Sequence, residues 1–544
     1  MSLHHLLKDF LIHDYFVLIS IILAIYVAQY YYKYFTRVNP LPGPFPFPLT
    51  GNLPQFLLIH RGNFKTFFEH YQKKHGDIFE FHLGTRRIVL SKPEYVEKIL
   101  MPSTKSQYMM RFPYVQGLEE IGMMGRGLLA NHNLKSWRYN RQFFTQAILA
   151  PKFSKEAIVW TNKLFNELET YWNKLYLKEE IIKEEKNKMD FSAWLNRYTN
   201  DMIIALTTGE RSYTMAAYFN TQSDEKAEHP QSIIDDSEKF VKAFRTHILG
   251  LPIFIFIPYI LRHYAPHLNR VSNALLKNIE FIYQRLDVII KRRRQEIENT
   301  SLDKPLPHDM LTSVITANTP RDINQIKTVE GESMGRPMND TEIRGIMFDG
   351  FLGGTDTTAN MISFIVYHLD HNPDVKKKML KEIDEIFQGD RERPITEDDF
   401  HKLKYCEAII KEVDRVLPVA NMMVRYSQEP DEVAGYNWPA GTIFHINAVS
   451  IHKHNDYWEE PEKFNPDRWM VKGFEPKKYS FIMFGGGLRI CPGRKLAMIE
   501  LICLMALIYR KYEVDLVDKK SPLKTVSTAL TTCPELLVKI RPRL

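Results

Sequence analysis

The 544-residue sequence predicts a mainly α fold with small β-sheets, carried behind an N-terminal transmembrane helix. Three observations point there. From Tyr15 to Tyr32 the run "YFVLISIILAIYVAQYYY" carries no charge, and as a helix it spans ~27 Å, close to the hydrocarbon core of a bilayer. Apolar residues then recur with helical periodicity over most of the chain. Strand signals are confined to three short places. Hydrophobic residues at 44% and aromatics at 12% supply one large core and exclude disordered and fibrous classes.

Each element has a local reason. Tyrosines crowd the end of the apolar run, where amphipathic rings favour the membrane interface. Lys33 and Arg37 follow it against Lys8 before it, a bias that places the body in the cytosol. No small-residue cleavage site follows, which argues against a removed signal peptide. Next comes "NPLPGPFPFP", in which Pro40, Pro42, Pro44, Pro46 and Pro48 alternate; this reads as a stiff spacer. The organisation is therefore a membrane anchor at 1–38, a Pro-rich linker at 39–50 and one large domain at 51–544.

Within that domain, Phe79 to Ser91 reads as two strands around Gly84, and "WPAGTIFHINAVS" and the C-terminal "SPLKTVSTALTTCPELLVKI" as further strands. Helical periodicity covers Trp137 to Leu149, Lys155 to Tyr176, Phe191 to Thr208 and Asn273 to Asn299. Polar stretches at Asn220 to Ser237 and Pro320 to Asn339 read as surface loops. The net charge of +7 is modest and interleaved with acids, as in "LKEEIIKEEKNK" before Met189, so no nucleic-acid partner is expected. "KRRR" at Lys291 to Arg294 reads as a solvated helix end. Asn339 and Glu342 have the spacing of a capping pair, and the helix they open runs to Leu369 before Asn372 and Pro373 stop it, ~45–50 Å in all. Gly350, Gly353 and Gly354 interrupt it at about 1 kcal/mol each, which predicts a local bulge beside a ligand.

Four cysteines occur, with no CxxC pairing. Cys406, Cys503 and Cys533 read as small core residues. Cys491 differs: in "FIMFGGGLRICPGRKLAMIE" it follows three glycines and Arg489 and precedes a helix start, so amide donors and a positive helix end can face its sulfur. A thiolate in that setting is a soft metal ligand.

The string "FGGGLRICPG" resembles the haem-binding pattern of the cytochrome P450 family, filling its five fixed places with Phe484, Gly487, Arg489, Cys491 and Gly493. In that family a cysteine thiolate holds the haem iron. Other segments resemble it in order. Trp137 and Arg141 match the Trp-x-x-x-Arg of a propionate-contacting helix, and Arg425 and Arg489 match two further propionate arginines. Glu412 and Arg415 match the Glu-x-x-Arg pair, with Arg468 of "FNPDRW" as its second arginine, a structural support. Gly353 to Thr358 match the motif whose acid and alcohol, here Asp356 and Thr357, lie beside the oxygen site. Departures are Lys453 in place of an arginine and Asp414 in place of a leucine.

The resemblance implies a cytochrome P450 fold and a haem b (iron protoporphyrin IX) ligated by Cys491. It implies a mono-oxygenase that inserts one atom of O2 into a lipophilic substrate, with Asp356 and Thr357 passing protons. Neither GxGxxG nor a P-loop occurs, so electrons come from outside. The implied donor is NADPH-cytochrome P450 reductase, with cytochrome b5 as a further donor, at the endoplasmic reticulum membrane with the catalytic domain cytosolic. Two alternatives stand beside this reading: a peroxide-using or isomerising haem-thiolate enzyme, and a membrane-anchored haem sensor. NADPH consumption separates them.

Overall fold

The computed structural model describes residues 3–103, 106–149, 151–183, 187–323, 336–528 and 530–543. Helix α1 (Leu3–Phe35) stands clear of the body: none of Val17–Phe35 is buried, and this stretch is long and apolar enough to cross a membrane. Its end is tied down where Arg37 meets Glu80, which also pairs with Arg86. The proline run is not a free spacer. It lies along the first strand, with Glu80 N–H donating to Pro42 O (2.9 Å), because an extended chain lacking amide donors still offers carbonyls to a sheet edge.

Strands β1 (Ile78–Leu83) and β2 (Thr85–Leu90) form the expected antiparallel hairpin, turning at Gly84 with φ +70°. β2 pairs in parallel with β4 (Ile443–Asn447), and β4 pairs antiparallel with β3 (Met422–Tyr426), completing a four-stranded sheet. The C-terminal segment supplies Val526–Ser527 and Thr531–Thr532 to a two-stranded ladder and Leu537–Pro542 to the centre of a three-stranded sheet. Helix α2 (Pro93–Leu100) follows the hairpin.

Helices dominate the rest. α3 (Leu134–Leu149), α4 (Pro151–Leu175) and α5 (Phe191–Thr208) correspond to the periodic windows, and every residue of α5 is buried. α6 (Ser237–Phe256) follows the irregular 223–236 segment. α7 (Pro266–Asn299) starts seven residues before the predicted Asn273, with Pro266 in its first turn, where a missing amide costs nothing. Its "KRRR" is solvated only in part: Lys291 is exposed, but the three arginines are engaged. Arg293 is 4% exposed and reaches Asp309, Thr208 O and Glu210, while Arg292 pairs with Glu210 and Arg294 with Asp340. These acids lie on other segments, so the basic run clamps α7 to the core. Within the loop read at Pro320 to Asn339, residues 324–335 lie outside the described residues, as do 184–186 of the charged run before Met189.

The long helix α8 (Asp340–His371) opens on a complete capping box: Asn339 accepts from Glu342 N–H, and the Glu342 side chain accepts from Asn339 N–H. The predicted bulge is absent. α8 stays a regular α-helix through all three glycines; Gly354 permits close packing, since a Cβ there would lie 2.7 Å from Ile203 Cγ1 of α5, whereas one on Gly350 would make ordinary contact with Phe144 at 3.5 Å and one on Gly353 would meet nothing within 4 Å. Two elements complete the site, α9 (Lys404–Val416) and α10 (Arg494–Lys511).

Candidate functional site

The loop Phe484–Gly493 wraps the Cys491 sulfur. Gly485 and Gly487 have φ +78° and +66°, a left-handed backbone that L side chains rarely adopt, and Gly487 packs against Leu100 O of α2. Cys491 N–H donates to Phe484 O (2.9 Å), closing the loop. Gly493 is the N-cap of α10, and its amide donates to the sulfur. Burial pushes the Cys491 thiol up; the Gly493 amide and the guanidinium groups of Arg141, Arg111 and Arg494 pull the other way.

Cations surround this loop in excess. Arg141 of α3 donates Nη2–H to Ile490 O (2.6 Å). Arg425 of β3 is 3% exposed and is held down to about 9, by burial first and then by Arg111. Arg489 lies 4.0 Å from the centre of the Trp137 ring, and burial followed by Arg111, Arg425 and Arg141 lowers it well below its ordinary value. Four guanidinium groups that repel one another inside a protein are stable only with anionic partners. Asp349 of α8, raised by burial to about 6, is the carboxylate acting on both Arg111 and Arg489. A thiol donor beneath a surplus of buried cations fits an iron porphyrin with two propionates.

Asp356 and Thr357 point to different places. Thr357 Oγ1 donates to Gly353 O (2.6 Å), and Gly353 is an open position where an added Cβ would meet nothing within 4 Å. Asp356 is 4% exposed; its Oδ1 accepts from Asn196 Nδ2 of α5 (2.8 Å), and its Oδ2 has no hydrogen-bond partner among the described residues. Burial raises it to about 6 against the pull of Arg245, Asn196 and Arg197. It borders a cavity of about 10 Å³, room for one water, lined by Ser192, Asn196, Arg245, Asn360 and Cys533.

Glu412 of α9 is fully buried and saturated. Arg415 reaches it through Nε (2.9 Å) and Nη2 (2.8 Å), Arg468 through Nε (3.2 Å), Trp469 through Nε1 (2.9 Å) and Asn465 through its amide (2.8 Å). Arg415 in turn reaches the carbonyls of His452, Pro461 and Lys463. Asp414, the departure on the same helix, is raised by burial to about 7; its Oδ2 has no hydrogen-bond partner among the described residues and lies 3.8 Å from His452 Nδ1.

Sequence reasoning missed Arg111, Asn196 and Asp349. The spacing of Asp349 to Asp356, two helical turns on one face, was a signal for the last. Arg111 and Asn196 lie in segments with no motif.

This fold and cysteine loop define the class of haem-thiolate oxygenases. The family model for cytochrome P450 matches residues 41–541, and the chain belongs to that family. It is 26% identical to (+)-vincadifformine 19-hydroxylase of Catharanthus roseus over 90% of this chain and 89% of that protein. It is 24% identical to cytochrome P450 3A14 of Cavia porcellus, over 94% and 93%. A crystal structure of a cytochrome P450DA mutant heme domain shares the fold with a TM-score of 0.72 at 18% identity, covering 93% of this chain and 98% of that one. The protein is a cytochrome P450 mono-oxygenase whose cofactor is haem iron and whose oxidant is O2.

Proposed function

We propose that this enzyme hydroxylates a lipophilic small molecule at the endoplasmic reticulum membrane, with electrons from an NADPH-dependent reductase. The observation that carries it is the closed loop around Cys491, with the Gly493 amide on the sulfur and Arg141 and Arg111 beside it. The membrane reading is supported by α1 and by apolar side chains exposed on the body: Leu57, Leu58 and Ile59 in one turn, Ile260 and Tyr264 in another.

Cys491 would ligate the iron, and Arg111, Arg141, Arg425 and Arg489 would hold the propionates, with Trp137 stacked on the last. Bound there, the haem supplies the activation of O2, and the thiolate favours O–O cleavage. The chain supplies the protons. Asp356, raised to about 6, takes one at Oδ2 from the polar cavity, and reorientation of its carboxyl brings the proton past α8. Thr357, whose hydroxyl hydrogen is bonded back to Gly353 O, presents its hydroxyl oxygen on the open face as an acceptor, and becomes a donor at the oxygen site only when that bond is exchanged. Phe484 and Gly487 shape the loop, and Glu412 and Arg415 of α9, with Arg468 of the 465–469 segment, brace it.

Two measurements test this. Cys491→Ala should abolish the thiolate-type spectrum of the reduced carbon monoxide complex; an unchanged spectrum removes the assignment. Spectral titration of the holoenzyme with fatty acids, sterols and terpenoids should show displacement of the iron-bound water by at least one class, followed by NADPH consumption with added reductase. Product formation with peroxide but never with NADPH would support the peroxide-using alternative instead.

A further inference from the structure

The segment Arg126–Asn131 forms no helix or strand, yet it is held from two directions. On one side, Oδ2 of Asp349 alone accepts both Leu128 N–H and Leu129 N–H (2.8 Å for the second). Gly127, at φ +63°, comes so close to α8 that an added Cβ would collide with Asp349 Oδ2 and lie 2.7 Å from Gly345 O. On the other side, Arg489 of the cysteine loop donates Nη1–H to Leu128 O (2.8 Å) and Nη2–H to Asn131 O (3.1 Å), and its Nε–H to Met109 O (2.6 Å). Leu128 is thus gripped at its N–H by the oxygen-side helix and at its C=O by the cysteine loop.

A guanidinium carries five N–H donors in a rigid plane. Three carbonyls fix the plane of Arg489 and leave two donors for a ligand. Two of those carbonyls belong to the segment that Asp349 holds. We infer that Asp349 is a positioning residue for the cofactor's carboxylates: by anchoring Leu128 and Leu129 it sets the carbonyls that orient Arg489. This rests on the haem-thiolate reading of the Cys491 loop. Asp349 touches neither the cysteine nor the open face beside Thr357. Its positioning effect passes through backbone, beside the charge it sets against Arg111 and Arg489.

Because a single oxygen accepts both N–H groups, an asparagine at 349 can reproduce both bonds through its amide oxygen while removing the charge. Asp349→Ala removes the acceptor. The comparison separates geometry from charge. With holoenzyme, haem transfer to apomyoglobin should be about tenfold faster in Asp349→Ala, the scale of a lost buried hydrogen bond, and within about twofold of wild type in Asp349→Asn. The haem reduction potential should follow the same order, and the haem that remains in both variants should keep its thiolate-type carbon monoxide spectrum. Equal losses in the two variants, or no change in either, would overturn the inference. Should Asp349→Ala not fold, amide exchange in the wild-type holoenzyme decides: Leu128 and Leu129 protected like the middle of α8 supports it, and exchange at open-loop rates overturns it. If the wild-type haem itself lacks the thiolate spectrum, the failure belongs to the parent reading of Cys491 and is recognised as such.

Discussion

Glu412 and Asp356 are both carboxylates removed from water, at 0% and 4% exposure, and the molecule treats them in opposite ways. Glu412 receives five donors from α9 and the 465–469 segment, and every one of them is itself fixed. Asp356 receives one side-chain donor, Asn196, and leaves an oxygen facing a water-sized cavity. A saturated buried carboxylate is held in one geometry by its donors and serves as a brace. An under-saturated one lies near the point of taking a proton, which is the condition that proton transfer needs. The same residue chemistry thus separates a brace from the proposed relay.

The sharpest way to break that comparison is to remove the brace. Glu412→Ala leaves the fully buried Arg415 guanidinium without its carboxylate, a loss of about 3–5 kcal/mol by the usual cost of stranding one partner of a buried pair. Urea denaturation and the yield of folded holoprotein should both show it, and a variant as stable as wild type would mean that the web is ornamental.

Asp356→Asn should do the reverse. Turnover falls by about 10²-fold, the scale of one lost acid–base group, while haem content is kept. Stability rises. The folded carboxyl, at about 6, lies above its unfolded value of 3.8, so the native state binds this proton more tightly. The group therefore costs nothing below about pH 4, and the penalty grows as the pH rises through 6, to about 2–3 kcal/mol above pH 7 at most. Wild type and Asp356→Asn should converge in urea denaturation at pH 4 and separate at pH 7.5. A parallel pair of curves would show that Asp356 is not the titrating group.

Asn196→Ala is a smaller perturbation of the same site. With its one side-chain donor gone, the Asp356 carboxyl moves further up, and the acidic limb of the pH–activity profile moves up with it. At neutral pH the loss should stay below about tenfold, the worth of one hydrogen bond to a charged group. A limb that does not move would place the titration elsewhere.

The brace was legible in the sequence and half of the relay was not, for a physical reason. Glu412 and Arg415 sit three apart on one helix, and the cysteine loop is contiguous, so spacing alone describes them. So do the capping box at Asn339 and the hairpin at Gly84. Asn196 meets Asp356 across 160 residues and Asp349 meets Leu128 across 221, and no periodicity within either segment announces such a partner. The same blindness made "KRRR" look solvated: the acids that bury Arg293 lie at Glu210 and Asp309, one of them far upstream. The missing bulge in α8 came from reading three glycines as one event, when Gly350 faces Phe144, Gly354 faces Ile203 and Gly353 faces open space.

That difference among the glycines gives the finest test of which face of α8 packs and which works. At Gly354 an added Cβ would press on Ile203 at 2.7 Å, so Gly354→Ala should destabilise by about 1–3 kcal/mol, as overpacking in a closed core does. At Gly353, one residue away, the Cβ meets nothing, and Gly353→Ala should raise stability by up to about 1 kcal/mol, the helix-propensity gain. Its cost should instead appear in the ligand-binding spectrum, because the new methyl stands on the open face where Thr357 bonds back to Gly353 O. Opposite signs in chemical denaturation would separate the packing face from the working face within a single turn of helix. Equal destabilisation would mean that α8 is enclosed on both sides, and the open face beside Thr357 would lose its claim to be the oxygen site.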